Sequence, residues 1–127
     1  MQCSIRPIVR SYRDLVVWKK SMALVLNIYR CTQTFPKVET YGLTSQSRRA
    51  AVFVPSNIAE GQARLSTGEF KHFLGNARGS LMEIETQLLI ARDLDYLDDI
   101  QSDLLLKDAA EVGRILNGLL ASLASRK

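Results

Sequence analysis

Histidine is almost missing from this sequence. In 127 residues there is one, His72, beside two cysteines, three prolines and seven glycines. A multi-histidine zinc site has no raw material here, and a His-dependent triad has very little. Cys3 and Cys31 form neither a metal-ligand spacing nor a disulfide framework, which fits a reducing, cytoplasmic setting. So few prolines and glycines are sparse for an all-β chain full of turns. No apolar run approaches the roughly 18–20 residues of a membrane span, and residues 1–13 lack the pattern of a secretory signal. The remainder, 46% hydrophobic and 24% charged, is the composition of one ordinary globular domain.

The net charge of +4 is unevenly spread. Residues 1–64 hold ten Lys/Arg against three Asp/Glu, a surplus of seven, while residues 65–127 hold seven against ten, a deficit of three. A basic half beside an acidic half points to an anionic partner or to self-association through opposite charges; solvated helix faces whose charges happen to segregate are the alternative.

Helical spacing runs from Leu15 to near the C-terminus. Leu15, Trp18, Met22, Val25 and Tyr29 predict a first helix over about 15–33, with Asp14 as N-cap and Phe35-Pro36 ending it. A second helix over about 45–60, capped by Thr44 or Ser45, presents Leu43, Ser47, Ala50, Val54 and Ile58; Pro55 should bend it and Gly61 should stop it. Ser66 and Glu69 form a capping box for a third helix reaching Arg92, with Phe70, Leu74, Ala77, Leu81, Ile84, Leu88 and Ala91 on one face. Asp98 and Asp99 open a fourth, with Leu105, Ala109, Val112, Leu116, Leu119 and Leu123 inward. The expected architecture is all-α: an antiparallel up-down-up-down four-helix bundle over 14–127, preceded by a flexible basic arm over 1–13.

Antiparallel packing of the second and third helices predicts a register with Ile58 opposite Phe70, Val54 opposite Leu74 and Ser47 opposite Leu81. Ala50 then falls near Ala77 and Gly79, where small residues permit close approach. Arg49 and Arg78 are assigned to this contact, and Arg49 should pair with Glu83, directly or through water.

The residues able to carry chemistry are few. Asn57, Glu60 and Gly61 cluster at one helix end, and Gly79, Ser80 and Glu83 lie on the next helix. Glu60 and Glu83 as paired acids would suit general acid–base work. The register separates them by roughly 20 Å at the helical rise, however, so structural roles within a subunit are favoured, Glu60 pairing with Arg64 or with backbone groups near the turn and Glu83 with Arg49 or Arg78. Glu69 and His72 have the Glu-x-x-His spacing of di-iron bundles, but in one copy only, and Glu69 already serves as a cap. No metal or cofactor is expected. The cations outside the apolar stripes are Lys19, Lys20, Arg48, Arg64 and Lys71.

The stretches Asp14-Leu15-Val16-Val17-Trp18-Lys19, Phe35-Pro36 and Glu39-Thr40-Tyr41-Gly42-Leu43 are followed by Arg48-Arg49-Ala50-Ala51, Asn57-Ile58-Ala59-Glu60-Gly61 and Ala77-Arg78-Gly79-Ser80-Leu81 with Glu83. In this order, over Arg13 to Tyr96, the chain resembles the bacterial four-helix-bundle family first met as proteins encoded in intervening sequences of large-subunit ribosomal RNA genes. The resemblance implies a left-handed bundle assembled as a ring-like homopentamer, with no assigned enzymatic activity. It also implies a relationship to the accessory variability proteins of retroelements, which bind nucleic acid and a reverse transcriptase.

The expectation is therefore a non-catalytic, oligomeric protein that binds structured RNA through phosphate contacts from Lys19, Lys20, Arg48, Arg64 and Lys71. The alternative is a structural or protein-interaction scaffold without nucleic-acid binding, and a hydrolase using Glu60 or Glu83 ranks third. Apolar residues off the inward stripes, among them Val17, Ala23, Leu26, Ile28, Leu104, Leu106, Ile115 and Leu120, independently suggest a subunit interface.

Overall fold

The computed structural model describes residues 11–124. Four helices account for most of them: α1 (Val16–Thr32), α2 (Leu43–Gln62), α3 (Thr67–Asp93) and α4 (Asp99–Ala124), with short 3-10 turns at Tyr12–Asp14 and Lys37–Glu39. There is no strand among the described residues. Both α1 and α3 pack against α2 and α4, and no contact crosses the diagonals, so the core lies between all four helices. The expected arm mostly lies outside the described residues. Its last part does not: Tyr12 sits edge-on to Trp18 at 5.2 Å, in a turn that packs on α2.

The start of α1 differs from expectation. Asp14 does not cap it; its carboxylate accepts from the Ser11 amide while the Ser11 hydroxyl accepts from the Arg13 amide, closing a reciprocal cap on the preceding turn. Leu15 is the N-cap of α1 and brings no side-chain hydrogen bond. The inward face is also rotated from the predicted stripe. Val17, Ser21, Leu24, Val25, Ile28 and Thr32 are buried, whereas Met22 and Tyr29 are exposed. Counting only apolar residues misses this face because two of its members are polar. The Ser21 hydroxyl donates to the Val17 carbonyl at 2.6 Å and that of Thr32 to the Ile28 carbonyl at 2.8 Å, so both enter the core already satisfied.

Helix α2 begins two residues before the expected position. Neither Thr44 nor Ser45 caps it; Gly42 is the N-cap, and Oε1 of Glu39 accepts from the Leu43 amide at 2.9 Å. The other carboxylate oxygen of Glu39 accepts from the Tyr96 hydroxyl at 3.0 Å, and the Phe35 and Tyr96 rings lie 5.4 Å apart. One carboxylate thus ties the α1–α2 loop to the α3–α4 turn, and the hydrogen bond that Tyr96 donates to it, which holds the phenol in its protonated form, raises the Tyr96 pKa above the ordinary value. Within that turn Asp95 takes φ of 63° and Asp98 exchanges backbone–side-chain hydrogen bonds with Gln101 to cap α4.

The buried Pro55 lies within α2, which continues through it, and Gly61 does not end the helix. Gly61 is buried against α3. A Cβ there would stand 2.9 Å from both Cδ1 of Phe70 and Cβ of Phe73. The residue facing Phe70 is therefore Gly61, about one helical turn from the expected Ile58. Beyond this contact Val54, Ile58, Leu74, Ala77, Leu81 and Ile84 are all fully buried. Burying each of the larger ones contributes about 1.5–3 kcal/mol. Ser66 accepts from the Glu69 amide at 3.1 Å, the expected cap of α3.

Gly61→Ala forces a methyl into the backbone and Cβ of a packed neighbour. It should lower unfolding stability by about 1–3 kcal/mol, read as a drop in urea midpoint at unchanged m value.

Candidate functional site

The five candidate cations do not gather in one place. Tyr12 and Trp18 lie beside Pro55, Ser56 and Ala59, so the start of α1 meets the last turns of α2. Lys19, Lys20, Arg64 and Lys71 therefore fall toward the end of the molecule that carries the α2–α3 turn. The opposite end, joined by Glu39 and Tyr96, carries five aspartates between positions 93 and 103. The charge asymmetry along the sequence separates α1 and α2 from α3 and α4, while each end mixes signs, with Lys37 beside the aspartates and Glu60 and Glu69 beside the α2–α3 turn.

Arg48 lies apart from the others, and two of its donors are engaged within the chain. Its Nε donates to the Thr32 hydroxyl at 2.8 Å, a terminal nitrogen donates to the Tyr29 carbonyl at 3.2 Å, and the guanidinium covers the Tyr29 ring at 4.7 Å. This clamp satisfies the C-terminal end of α1 from α2, a structural role for Arg48 that the sequence reading did not assign. Beside it the half-buried thiol of Cys31 has its pKa pushed up to about 11 by burial, against a smaller pull from Arg48, and is an unreactive packing group. Arg64 pairs with Glu60 at 2.6 Å, reaches Glu69 at 3.9 Å and lies 4.8 Å over Phe73, and Lys20 pairs with Glu111 at 3.3 Å. Lys19 and Lys71 are exposed with no carboxylate within 4 Å.

The other motif residues converge on a groove of about 630 Å³ between α2 and α3. Asn57 and Glu60 line it from α2, and Gly79, Ser80 and Glu83 from α3. Glu60 and Glu83, separated by roughly 20 Å in the expected register, both line this long cleft. Asn57 donates to the Phe53 carbonyl at 2.7 Å. Gly75 and Gly79 form part of the floor, and a Cβ at either would meet nothing within 4 Å. Gly79 therefore does not serve the close helix contact expected of it. Each such glycine costs about 1 kcal/mol of helix stability relative to alanine, with no packing inside the chain to offset it.

A direct Arg49–Glu83 ion pair is not made, and Arg78 serves a different helix contact. Arg49 and Glu83 line the same narrow extension of the groove, but no ion pair within 4 Å joins them; the Arg49 guanidinium lies 5.5 Å over Phe53 instead. Both are exposed, where an ion pair contributes only about 0–1 kcal/mol. Arg78 belongs to the α3–α4 contact, donating to Asn117 at 3.1 Å. In the same extension the Gln87 side-chain oxygen is buried without a hydrogen-bond partner. The reading from sequence did not single out Gln87, Asn76 or the exposed Phe53 as groove residues. The available signal was two mid-helix glycines four residues apart.

Among the described residues, no group of three His, Cys, Asp or Glu is placed to hold a metal ion, and no helix is long and apolar enough to cross a membrane.

Comparison with known proteins follows this geometry. The family model described as 23S rRNA-intervening sequence protein matches residues 13–118. The fold is similar to the 1.70 Å crystal structure of a protein of unknown function from the S23 ribosomal protein family of Bacteroides thetaiotaomicron. The TM-score is 0.75 at 21% identity, over 83% of this chain and 98% of that one. No curated protein matches the chain.

The sorting of cations into clamps and free charges has a direct consequence. Arg48→Ala should destabilise the fold by about 1–3 kcal/mol through the lost hydrogen bonds, while Lys19→Ala should stay within about 0.5 kcal/mol of the parent, both read from urea midpoints.

Proposed function

We propose, from the premise that the chain belongs to the 23S rRNA-intervening sequence protein family, that it works in the cytoplasm as a non-catalytic, oligomeric protein binding structured RNA through phosphate contacts. The supporting observation is the end of the molecule that carries the α2–α3 turn. Lys19 and Lys71 are free there, and the exposed pairs of Lys20 and Arg64 can exchange a surface carboxylate for a phosphate at little cost. Recognition of this kind positions the protein on the backbone and reads little sequence. The aspartates of the opposite end repel phosphate and orient the molecule on its ligand.

The assembly we propose is a ring-like homopentamer of up-down-up-down bundles. Repetition around a ring multiplies contacts that are weak in one subunit. Support comes from apolar surface left uncovered on α1 and α4: Leu26 is 50% exposed, Ile100 74% and Leu104 61%. Val17 and Ile28, counted toward that surplus in the sequence, are core residues and leave it. The second reading, a protein-interaction scaffold, is favoured by the cation pairs within the subunit and by the open α2–α3 groove.

The test is a salt titration of binding to a mixed pool of structured RNA, for the parent and for Lys19→Ala/Lys71→Ala. The parent should bind more weakly as salt rises, and the log–log slope of the variant should be smaller by about 0.7–0.9 for each phosphate contact removed. A parent that binds no RNA at low salt, while remaining oligomeric, would establish the scaffold reading in its place.

A further inference from the structure

We infer that the α2–α3 groove receives the outer face of α4 from a second copy of this chain, with Arg114 of the incoming helix reaching Glu83. The inference rests on the oligomeric reading above and names the surfaces that would make the contact.

The groove has the form of a place kept open for something outside the subunit. Gly61, on the same pair of helices, is small because Phe70 and Phe73 fill the space beside it. Gly75 and Gly79 have no neighbour within 4 Å that a Cβ would meet. Missing side chains at two positions four residues apart let the backbone of another helix approach closely along the groove. The charged residues lining the main groove are both acidic: Glu83 has no cation of the described residues within 4 Å, Arg49 at the narrow end lying over Phe53 instead, and Glu60 is shared with Arg64. The buried oxygen of Gln87, beside Glu83 at the narrow end, is an acceptor without a donor. A helix bearing a multi-donor cation on a face of small residues matches both features, and arginine has the donors to serve a carboxylate and an amide oxygen together.

The chain itself carries such a face. Along the solvent side of α4, Lys107, Ala110, Arg114, Gly118 and Ala121 are all exposed and follow one another at steps of three and four residues. A Cβ on Gly118 would also meet nothing within 4 Å. The Arg114 side chain is 73% exposed and held only by Glu111 at 3.8 Å. Cation and small residues on α4 thus complement carboxylates and small residues on α2–α3. The two surfaces are different patches, so their contact is heterologous and propagates from copy to copy until a rotation closes it into a ring. An RNA occupant of this groove is disfavoured by the same carboxylates.

The test is a charge reversal read by light scattering and sedimentation on the full chain, with circular dichroism confirming that each variant is folded. Glu83→Arg and Arg114→Glu should each weaken self-association at least tenfold, and the double variant should recover most of the loss. Gly79→Leu, which projects into the groove from a position where a Cβ meets nothing within 4 Å, should dissociate the assembly while the subunit stays folded. A parent that is itself monomeric overturns the oligomeric reading and this interface with it. A parent that is oligomeric and keeps its mass in both single reversals and in Gly79→Leu overturns the interface alone. Single reversals that dissociate the protein with no recovery in the double variant overturn the Arg114–Glu83 pairing.

Discussion

The 2.9 Å clearance that a Cβ on Gly61 would have from Phe70 and Phe73 determines how α2 and α3 come together. Because position 61 has no side chain, the two aromatic residues at the start of α3 close directly onto the α2 backbone. That contact sets the register of the pair, and the register decides which residues become core and which become groove. Downstream of it, Val54, Ile58, Leu74, Ala77, Leu81 and Ile84 are sealed from solvent. On the flank of the same helices, Gly75 and Gly79 leave a cleft with Asn57, Glu60 and Glu83 on its walls. Arg64 secures the turn from outside by pairing with Glu60 and lying over Phe73. Helices α1 and α4 complete the core against this pair.

A second constraint works at the other end. Glu39 caps α2 with one carboxylate oxygen and accepts from Tyr96 with the other, so two connections that are distant in sequence are held as one. The aspartate-rich turn is fixed there, away from the cations at the start of α1 and around the α2–α3 turn. The aspartates and the exposed lysines Lys19 and Lys71 are thereby held at different ends of the molecule. That separation is what the proposed phosphate contacts draw on. The groove, with its opposite sign, suits a different partner.

Much of this was readable from the residues. The Ser66–Glu69 cap, the long α3 stripe and the aspartates opening α4 depend on contacts within a few positions of one another, and periodicity reports those directly. The α1 face was not readable in the same way, since Ser21 and Thr32 count as polar until their hydroxyls are seen bonded to carbonyls of their own helix. Gly61 was taken for a helix stop because glycine commonly serves that purpose, whereas here its role depends on two residues across a turn. Gly79 reads as a close-packing residue for a similar reason. Whether a glycine is small to admit a neighbour or to leave room depends on what stands opposite. The family motifs around Asn57, Glu60, Gly79, Ser80 and Glu83 were recognisable from sequence, but that all of them line one long cleft depends on how α2 and α3 pack against each other.

If the Gly61 contact is the foundation of the fold, the α2–α3 pair should be the last part of the molecule to open. Native-state hydrogen exchange measures this directly, since local and global openings differ in free energy across a structure. The slowest amides should lie in α2 and α3, at Val54, Ile58, Ala77 and Leu81, exchanging only on global unfolding, with α1 and α4 exchanging through smaller openings. Slowest exchange in α1 and α4, with α2 and α3 opening first, would contradict the account.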